Sequence, residues 1–355
     1  MKEATPLGGL RVVEAGQYIS APYAGKLLAD LGAEVVKVEP PGGDPMRRWQ
    51  GSGSMSPQFA AYNRRKRLVT LDLKDPAGLA ELLELVAGAD VLIENFRPGV
   101  ADRLGFGWAL LKEREPQLVY CSITGFGPSG PYARRPAYDT IISAVGGLYG
   151  HLVDLADPRP IGPAFSDLLS GMSATQGILA ALHARTASGR GQRVEVSMLG
   201  AVTDFLTEAI GTYLATGSVP APGTRAARAQ AFGVVGSDGL PFVVHLSVPE
   251  KFWTALLGVL ELAEEPRFAS RELRHRHYAE LEEALRAEFA KRPRDEWFER
   301  LAAADIPHGP LNTVADLVQD PQANHLGLIG EQATRPGTRF SDHHGRLPRP
   351  REERL

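Results

Sequence analysis

The chain has 355 residues, of which 43% are hydrophobic and 23% are charged, and its formal net charge is −3. These values are typical of a globular protein of about two domains, and the near-neutral charge argues against a nucleic-acid-binding surface. The single cysteine, Cys121, excludes an intramolecular disulfide. The N-terminus has no apolar signal segment, and no stretch reaches the roughly 18 apolar residues of a membrane span. The sequence therefore predicts a cytoplasmic protein with no membrane partner and no nucleic-acid partner.

The N-terminal part of the chain alternates short apolar runs with helical patterns. The runs "LRVVEA", "AEVVKVE", "RLVTLDL", "DVLIENF" and "PQLVYCSITGFG" predict strands. The stretches "APYAGKLLADLG" and "DPAGLAELLELVAGA" predict helices, each with a proline near its first turn. Strands separated by such helices form βαβ units with a parallel sheet. Ligands bind beyond the carboxyl ends of such strands, which here are followed by residues 16–20, 39–44, 95–99 and 124–130.

The second half of the chain completes a large domain and is predicted to form a smaller second domain. A helix from Asp167 to about residue 186 and the strand "RVEVSML" complete a large α/β domain over 1–216. Residues 217–231, "GSVPAPGTRAARAQA", have the composition of a linker or mobile loop. Residues 232–305 predict a hairpin with a turn at 237–239, followed by amphipathic helices, and therefore a small α+β domain. We expect the segment 306–355 to return to the large domain.

Known cofactor and metal motifs are missing from the sequence. Glu39 ends the second predicted strand about 20 residues after the first turn, as a ribose-binding acid would. The turn itself, "EAGQYISAP", lacks the GxGxxG glycines that admit a pyrophosphate, so we do not expect NAD binding. The chain has no Walker A, HExxH or GxSxG sequence, and one cysteine precludes a CxxC zinc site. We predict no metal site.

Asp167 in "PAFSDLLSGM" lies where a long apolar helix is predicted to begin. An acid at that position is most often a helix cap. The free N–H groups and the positive end of the helix are expected to keep the carboxylate ionised. An ionised carboxylate is a usable nucleophile towards a thioester, and the same N–H groups would stabilise an oxyanion. Capping and catalysis both remain open for Asp167 on this pattern alone.

An ordered set of segments resembles the CaiB–BaiF family, the class III CoA-transferases. The segments are "LGGLRVVEAG", "APYAGKLLADLGAEVVKVEPPGGDPMR", "NRRKRLVTLDLKDPAG", "VLIENFRPGVADRLGFGW", "CSITGFGPSGPYARRPAYD" and "DLLSGMSATQGILAALHARTASGRGQRVEVSML". The resemblance runs nearly continuously from residue 7 to about 205, and it returns more weakly at "FWTALLGVLEL" and "DIPHGPLNTVADLVQDPQ". Several motifs in one order make it highly specific.

The resemblance implies a Rossmann-like large domain, a smaller domain and an interlocked homodimer. It implies transfer of CoA from an acyl-CoA to a carboxylic acid with no tightly bound cofactor, through aspartyl anhydride and aspartyl-CoA thioester intermediates. The implied nucleophile is Asp167, and Tyr138 is expected beside the thioester. By motif position, the residues expected to line the nucleotide of CoA are Leu71, Lys74, Asn95, Phe96, Arg103 and Leu104. For Phe96 and Leu104, core packing is an equally good interpretation.

Two alternatives stay open beside CoA transfer. The position that matches a glutamine of formyl-CoA transferases is Ile19, which weakens an assignment to formyl transfer. The same family contains α-methylacyl-CoA racemases, whose catalytic histidine falls in the motif occupied here by Tyr138. Because a tyrosine with an ordinary pKa of about 10 is a poor base at neutral pH, racemisation is the second choice. A CoA-binding homologue without activity is the third.

Overall fold

The computed structural model describes residues 5–49, 55–247, 249–330 and 334. The chain forms two compact units, residues 1–219 with 322–355 and residues 220–321. The first unit contains a six-stranded, fully parallel sheet in the order β3-β2-β1-β4-β5-β6. Its strands are β1 (Arg11–Glu14), β2 (Glu34–Glu39), β3 (Arg67–Thr70), β4 (Val91–Glu94), β5 (Val119–Thr124) and β6 (Arg193–Ser197). The prediction of a Rossmann-like parallel sheet is confirmed.

Helices cover both faces of this sheet, as expected of βαβ connections. In chain order they are α1 (Ser20–Asp30), α2 (Pro57–Asn63), α3 (Pro76–Val86), α4 (Val100–Leu104), α5 (Trp108–Arg114), α6 (Asp139–Val145), α7 (Leu148–Leu152), α8 (Phe165–Ser188), α9 (Met198–Phe205) and α10 (Thr207–Thr216). One face packs on α1, α6, α8 and α9 through residues such as Ile178 and Val202. The other face packs on α3, α4 and α5 through residues such as Leu82 and Leu111.

The order of the strands reverses between β1 and β4. From β1 the chain adds β2 and β3 on one side, and it then returns to place β4 on the other side. The loops that leave the carboxyl ends of β1 and β4 therefore diverge, which opens a crevice where ligands bind in folds of this kind. The loop after β1 leads into α1, and Asn95 directly follows β4.

The second unit contains a three-stranded antiparallel sheet and its own core. Its elements are α11 (Thr224–Ala229), β7 (Ala231–Val235), β8 (Pro241–His245), α12 (Pro249–Leu260), α13 (Arg271–Arg276), α14 (Tyr278–Phe289), α15 (Arg294–Ala303), β9 (His308–Pro310) and α16 (Val314–Gln319), and α17 (Pro321–His325) begins at its boundary. The hairpin expected around the turn at 237–239 is confirmed by the pairing of β7 with β8. Buried aromatic residues, among them Phe242, Phe289 and Trp297, fill its core.

The observed unit boundaries differ from the expected ones at two places. The expected linker, 217–231, contains α11 and the first residue of β7. The second unit extends to residue 321 rather than 305, because β9 pairs with β8 and completes the small sheet. No helix among the described residues is long and apolar enough to cross a membrane.

Candidate active site

Asp167 is the third residue of α8, and it does not cap that helix. The N-cap residue Ala164 makes no side-chain capping bond. Instead, Oδ1 of Asp139 accepts hydrogen bonds from the backbone N–H groups of Ser166, at 2.8 Å, and Asp167, at 3.3 Å. Asp139 begins α6 and lies 28 residues away in sequence. The expectation that Asp167 uses the free N–H groups of its own helix is therefore wrong, because Asp139 occupies them.

The first turn of α1 approaches the Asp167 carboxyl. Gly171 lies one helical turn after Asp167, so both residues face the same side of α8. A Cβ atom added at Gly171 would lie 2.9 Å from the backbone oxygen of Ser20, so only glycine allows this close crossing. Ser20, the first residue of α1, is close enough to the Asp167 carboxyl to lower its pKa. The helix terminus that faces the carboxyl is thus that of α1, where free N–H groups favour an anion.

Asp167 is half-buried, and its acidity differs from the expectation. Burial and the nearby charge of Asp139 raise the pKa of Asp167 to about 7, and the polar groups of Ser20 only partly oppose this rise. The carboxyl is therefore close to half-ionised at neutral pH, whereas the sequence predicted a fully ionised carboxylate. The pKa of Tyr62 is raised by burial and by the facing charge of Asp167, which puts the Tyr62 phenol at the same site.

Side chains from β2, from the loop that follows β2 and from the residue after β4 hold the backbone of the loop that follows β1. Lys37 Nζ donates to the Gly16 carbonyl at 2.7 Å. The Asn95 amide donates to the Gln17 carbonyl at 2.8 Å and accepts from the Gln17 N–H at 2.9 Å. The next N–H, of Tyr18, donates to the Asp44 carboxylate at 3.2 Å. These bonds hold Tyr18 at φ 62°, a left-handed conformation that few non-glycine residues adopt.

A buried cluster of four charges lies under this loop: Glu14, Lys37, Asp44 and Lys66. Lys37 Nζ lies 3.0 Å from Glu14 and 3.1 Å from Asp44, and Lys66 pairs with the other oxygen of Glu14. Burial disfavours a charged Glu14, but the two lysines outweigh it and hold the Glu14 pKa below its usual range. This cluster was not predicted from the sequence, although Glu14 and Lys37 stand out as charges inside apolar strand runs.

Tyr138 is the N-cap residue of α6, directly before Asp139, and its side chain is 60% exposed. Its ring meets the ring of Tyr18 edge-on with centroids 6.0 Å apart, and Tyr18 also contacts Trp49 at 6.4 Å. Burial and the nearby Tyr138 phenol raise the pKa of Tyr18. The three rings form an aromatic surface that continues from the strained loop to the helix carrying Asp139.

Of the residues expected to bind CoA, three line one surface cleft. Lys74, Arg103 and Leu104 surround an opening of about 390 Å³ at the start of α3 and the end of α4. Both cationic side chains are exposed there. Asp75 also lines the cleft, so its charged residues are two cations and one acid. The two cationic side chains suit phosphate groups.

The other three expected residues have structural roles. Leu71 and Phe96 pack in the core beside α3, and the Phe96 ring contacts Phe106 at 5.9 Å. The Asn95 side chain holds the loop after β1, as described above, and its amide also donates to Ser20 Oγ at 3.0 Å. A role for these residues in CoA binding stays a prediction.

The family model, the relatives and the solved structure that match this chain are all CoA-transferases or CaiB/BaiF family proteins. The family model described as CoA-transferase family III matches residues 7–349. The acetyl-CoA:oxalate CoA-transferase of Acetobacter aceti is 38% identical, over 92% of this chain and 86% of that protein. The succinyl-CoA–D-citramalate CoA-transferase of Chloroflexus aurantiacus is 35% identical, over 89% and 81%. A CaiB/BaiF family protein from Brucella suis has a similar crystal structure, with a TM-score of 0.86 and 37% identity over 98% and 97% of the two chains.

Proposed function

Because the chain belongs to CoA-transferase family III, we propose that it moves CoA from an acyl-CoA to a carboxylic acid through covalent intermediates on Asp167. The observation that carries this proposal is the Asp167 carboxyl itself. It is half-buried, it lies beside the first turn of α1, and its pKa of about 7 leaves a substantial ionised fraction at neutral pH. A carboxylate of raised pKa is a better nucleophile than an ordinary one, and the low polarity around it protects an anhydride from water.

The proposed reaction proceeds through four displacement steps. The Asp167 carboxylate attacks the donor thioester carbonyl and expels the CoA thiolate, which leaves a mixed anhydride. The thiolate attacks the side-chain carbonyl carbon of Asp167 and releases the donor acid, which leaves an aspartyl-CoA thioester. The acceptor carboxylate then attacks that carbon and expels the thiolate to form a second anhydride. Finally, the thiolate attacks the acceptor acyl carbon, which forms the new acyl-CoA and regenerates the carboxylate.

We assign the phosphates of CoA to the cleft that contains Lys74 and Arg103. Arg103 offers a planar fork and Lys74 a point charge, which together suit a diphosphate or a phosphomonoester. The reaction needs no tightly bound cofactor, because the aspartate, the CoA thiolate and the acceptor carboxylate supply every nucleophile. Acyl-CoA is a metabolite of the cytoplasm, where we propose that the enzyme acts.

We propose a small dicarboxylic acid as the acceptor. The names of the two relatives above give oxalate and D-citramalate as their acids, and both compounds carry two carboxylates. Exchange assays of acetyl-CoA and succinyl-CoA with labelled oxalate, citramalate and glutarate test this. Labelled acyl-CoA is expected with at least one pair, and its formation is expected to stop in Asp167→Ala. Full turnover by Asp167→Ala would refute the proposed function.

Two further measurements distinguish CoA transfer from racemisation and from an inactive CoA-binding homologue. Deuterium wash-in at the α-carbon of a 2-methylacyl-CoA without CoA exchange would indicate a racemase. CoA binding with neither signal would indicate an inactive homologue. We favour transfer because the position of the racemase histidine is occupied here by Tyr138.

We also propose the interlocked homodimer. Large apolar side chains are exposed on α6, α8, α9 and α10, namely Ile141, Val145, Met172, Phe205 and Leu214. Apolar surface of this kind marks a contact with another protein, and a second copy of the chain is the proposed partner. Light scattering coupled to gel filtration is expected to give twice the chain mass, and a monomer at micromolar concentration would contradict the proposal.

A further inference from the structure

The start of α8 has no capping side chain of its own. An N-cap side chain normally accepts a hydrogen bond from the N–H group of the second or third helical residue. In α8 these residues are Ser166 and Asp167, and the N-cap residue Ala164 makes no side-chain bond. Both N–H groups donate instead to one atom, Oδ1 of Asp139, at 2.8 and 3.3 Å. A half-buried acid at the start of α6 therefore serves as the cap of α8.

Asp139 also holds the side chain of the residue that precedes Asp167. The Ser166 hydroxyl lies 2.8 Å from Asp139 Oδ1 and 3.0 Å from the Asp139 carbonyl oxygen, so its single hydrogen has an acceptor on Asp139 in either orientation. Ser166 is fully buried, and its carbonyl oxygen accepts from Ser170 Oγ at 2.6 Å. Because adjacent Cα atoms are about 3.8 Å apart, fixing Ser166 in this way leaves the Asp167 backbone little room to shift.

The helix that carries Asp139 is itself firmly packed. Ile142 of α6 is fully buried in the core cluster that also contains Ile178 of α8. Just before α6, the chain packs against the end of β5, where a Cβ atom added at Gly125 would lie 2.1 Å from the Ala137 Cβ. Asp139 therefore holds the start of α8 from a fixed position, and its hydrogen bonds join two helices that already share a core.

The same hydrogen bonds leave the Asp167 carboxyl without a partner on its own helix. An acid in the first turn of a helix is stabilised by the free N–H groups there, which lower its pKa. In α8 the N–H groups of Phe165 and Leu168 donate to backbone carbonyls, and the two between them donate to Asp139. With these four donors engaged, the carboxyl is not drawn back onto α8.

We propose that Asp139 is the positioning residue for the Asp167 nucleophile: by capping α8 from α6, it holds the Asp167 carboxyl in the direction of attack and keeps it from turning back onto its own helix. This inference rests on the proposed aspartyl chemistry. Each displacement needs the reacting atoms about 3–3.5 Å apart and aligned, and a misplacement of about 1 Å lowers the rate on the order of 100-fold. Asp139 acts through the backbone of α8, so it is a positioning residue and not a catalytic one.

Two substitutions of Asp139 separate its hydrogen bonds from its charge. Asp139→Asn keeps an oxygen that accepts from both N–H groups, whereas Asp139→Ala removes it. At the plateau of each pH profile, we expect kcat to fall on the order of 100-fold in Asp139→Ala and less than about fivefold in Asp139→Asn. KM for acyl-CoA is expected to change less than about threefold in both variants.

Asp316→Ala is the matched control for the loss of a helix-capping acid. Asp316 lies in the first turn of α16, in the second unit, and accepts a hydrogen bond from the backbone N–H of the N-cap residue Thr313 at 2.8 Å. We expect this control to keep the kcat and KM of the parent protein. A loss of kcat as large as that of Asp139→Ala would mean that destabilisation, and not positioning, lowers activity, and it would overturn the inference.

A second readout does not depend on turnover. Carboxyl ¹³C NMR of aspartate-labelled protein, with Asp167→Asn identifying the signal, gives the titration midpoint of Asp167. The titratable groups that face this carboxyl are Asp139 on α6 and the Tyr62 phenol on α2. In Asp139→Asn the midpoint is expected to fall below its value of about 7, because a like charge is lost. In Asp139→Ala it is expected to fall further, because the carboxylate gains the freed N–H groups of its own helix.

The outcomes decide between this inference and the proposed function. Parental kcat in Asp139→Ala, equal losses of kcat in the alanine and asparagine variants, a loss confined to KM, or an unchanged midpoint in Asp139→Asn would each overturn the inference. If Asp139→Ala does not fold, a kcat of Asp139→Asn more than tenfold below that of the parent would overturn it. If Asp167→Ala is inactive while Asp139→Ala is fully active, only this inference fails; if Asp167→Ala retains turnover, the proposed function fails.

Discussion

Replacing Asp167 with asparagine is expected to stabilise the unliganded protein at alkaline pH. The folded protein resists ionisation of this carboxyl, since burial and Asp139 raise its pKa from 3.8 to about 7. Each pKa unit corresponds to about 1.36 kcal/mol, so full ionisation costs the folded state up to about 4 kcal/mol. Asparagine keeps the shape of the side chain and carries no charge at any pH.

The sign of the pH dependence follows from linkage. Between about pH 4 and pH 7 the folded chain retains the Asp167 proton while the unfolded chain releases it, so the free energy of unfolding falls as pH rises. This contribution is absent in Asp167→Asn. The stability advantage of the variant is therefore expected to grow by about 2–3 kcal/mol between pH 5 and pH 8.

Urea denaturation at several pH values and one protein concentration measures this difference. Asp204→Asn is the control, because it removes the same charge from an exposed position on α9; its effect is expected to be small at every pH. If Asp167→Asn were no more stable than the parent at pH 8, or if its advantage did not change with pH, the proposed environment of the carboxyl would be wrong.

Three further substitutions test the surroundings of the site. Gly171→Ala is expected to cost about 1–3 kcal/mol of unfolding free energy and to lower kcat, because its Cβ would lie 2.9 Å from the first turn of α1. Gly211→Ala, with open space around a helical position, is expected to be neutral or slightly stabilising, and equal effects of the two would refute this packing argument. Lys37→Met leaves buried Asp44 without its cationic partner and Glu14 with Lys66 alone, and it is expected to cost about 3–5 kcal/mol in denaturation experiments; a neutral outcome would contradict a structural role for the charge cluster. Arg103→Ala is expected to raise KM for acyl-CoA roughly tenfold with kcat unchanged, whereas Arg114→Ala, in a different cleft, is expected to leave KM unaltered. Steady-state kinetics that gave both arginine variants the same KM would argue against CoA binding beside α4.

The large-unit fold was predictable because its signals are local. Buried parallel strands read as short apolar runs, and helices of ordinary length separate them, so βαβ units follow from the sequence. In the small unit, one strand could not be predicted from local signals. Strand β9 has three residues, and it joins the small sheet by pairing with β8, more than 60 positions earlier in the chain. A strand that short carries no periodicity of its own, so the boundary expected at residue 305 left it out.

In the candidate active site too, local motifs predicted some features, and tertiary contacts determine the others. We propose Asp167 as the reactive group because a whole set of family motifs surrounds it. The environment of Asp167 was not predictable, since Asp139 caps α8 from 28 residues away and the first turn of α1 approaches Asp167 only where α1 crosses α8. The acidity of a carboxyl depends on such neighbours. For this reason the sequence predicted an ionised Asp167, whereas its pKa is about 7.

Trapping the covalent intermediate tests the central claim most directly. The protein is incubated with an acyl-CoA that supports exchange, quenched in acid, digested and analysed by mass spectrometry, with Asp167→Asn treated in parallel. The peptide that contains Asp167 is expected to gain the mass of CoA, less one water, and to lose it on treatment with hydroxylamine. An unmodified Asp167 peptide in samples that are actively transferring CoA, or an adduct on another residue, would contradict the account.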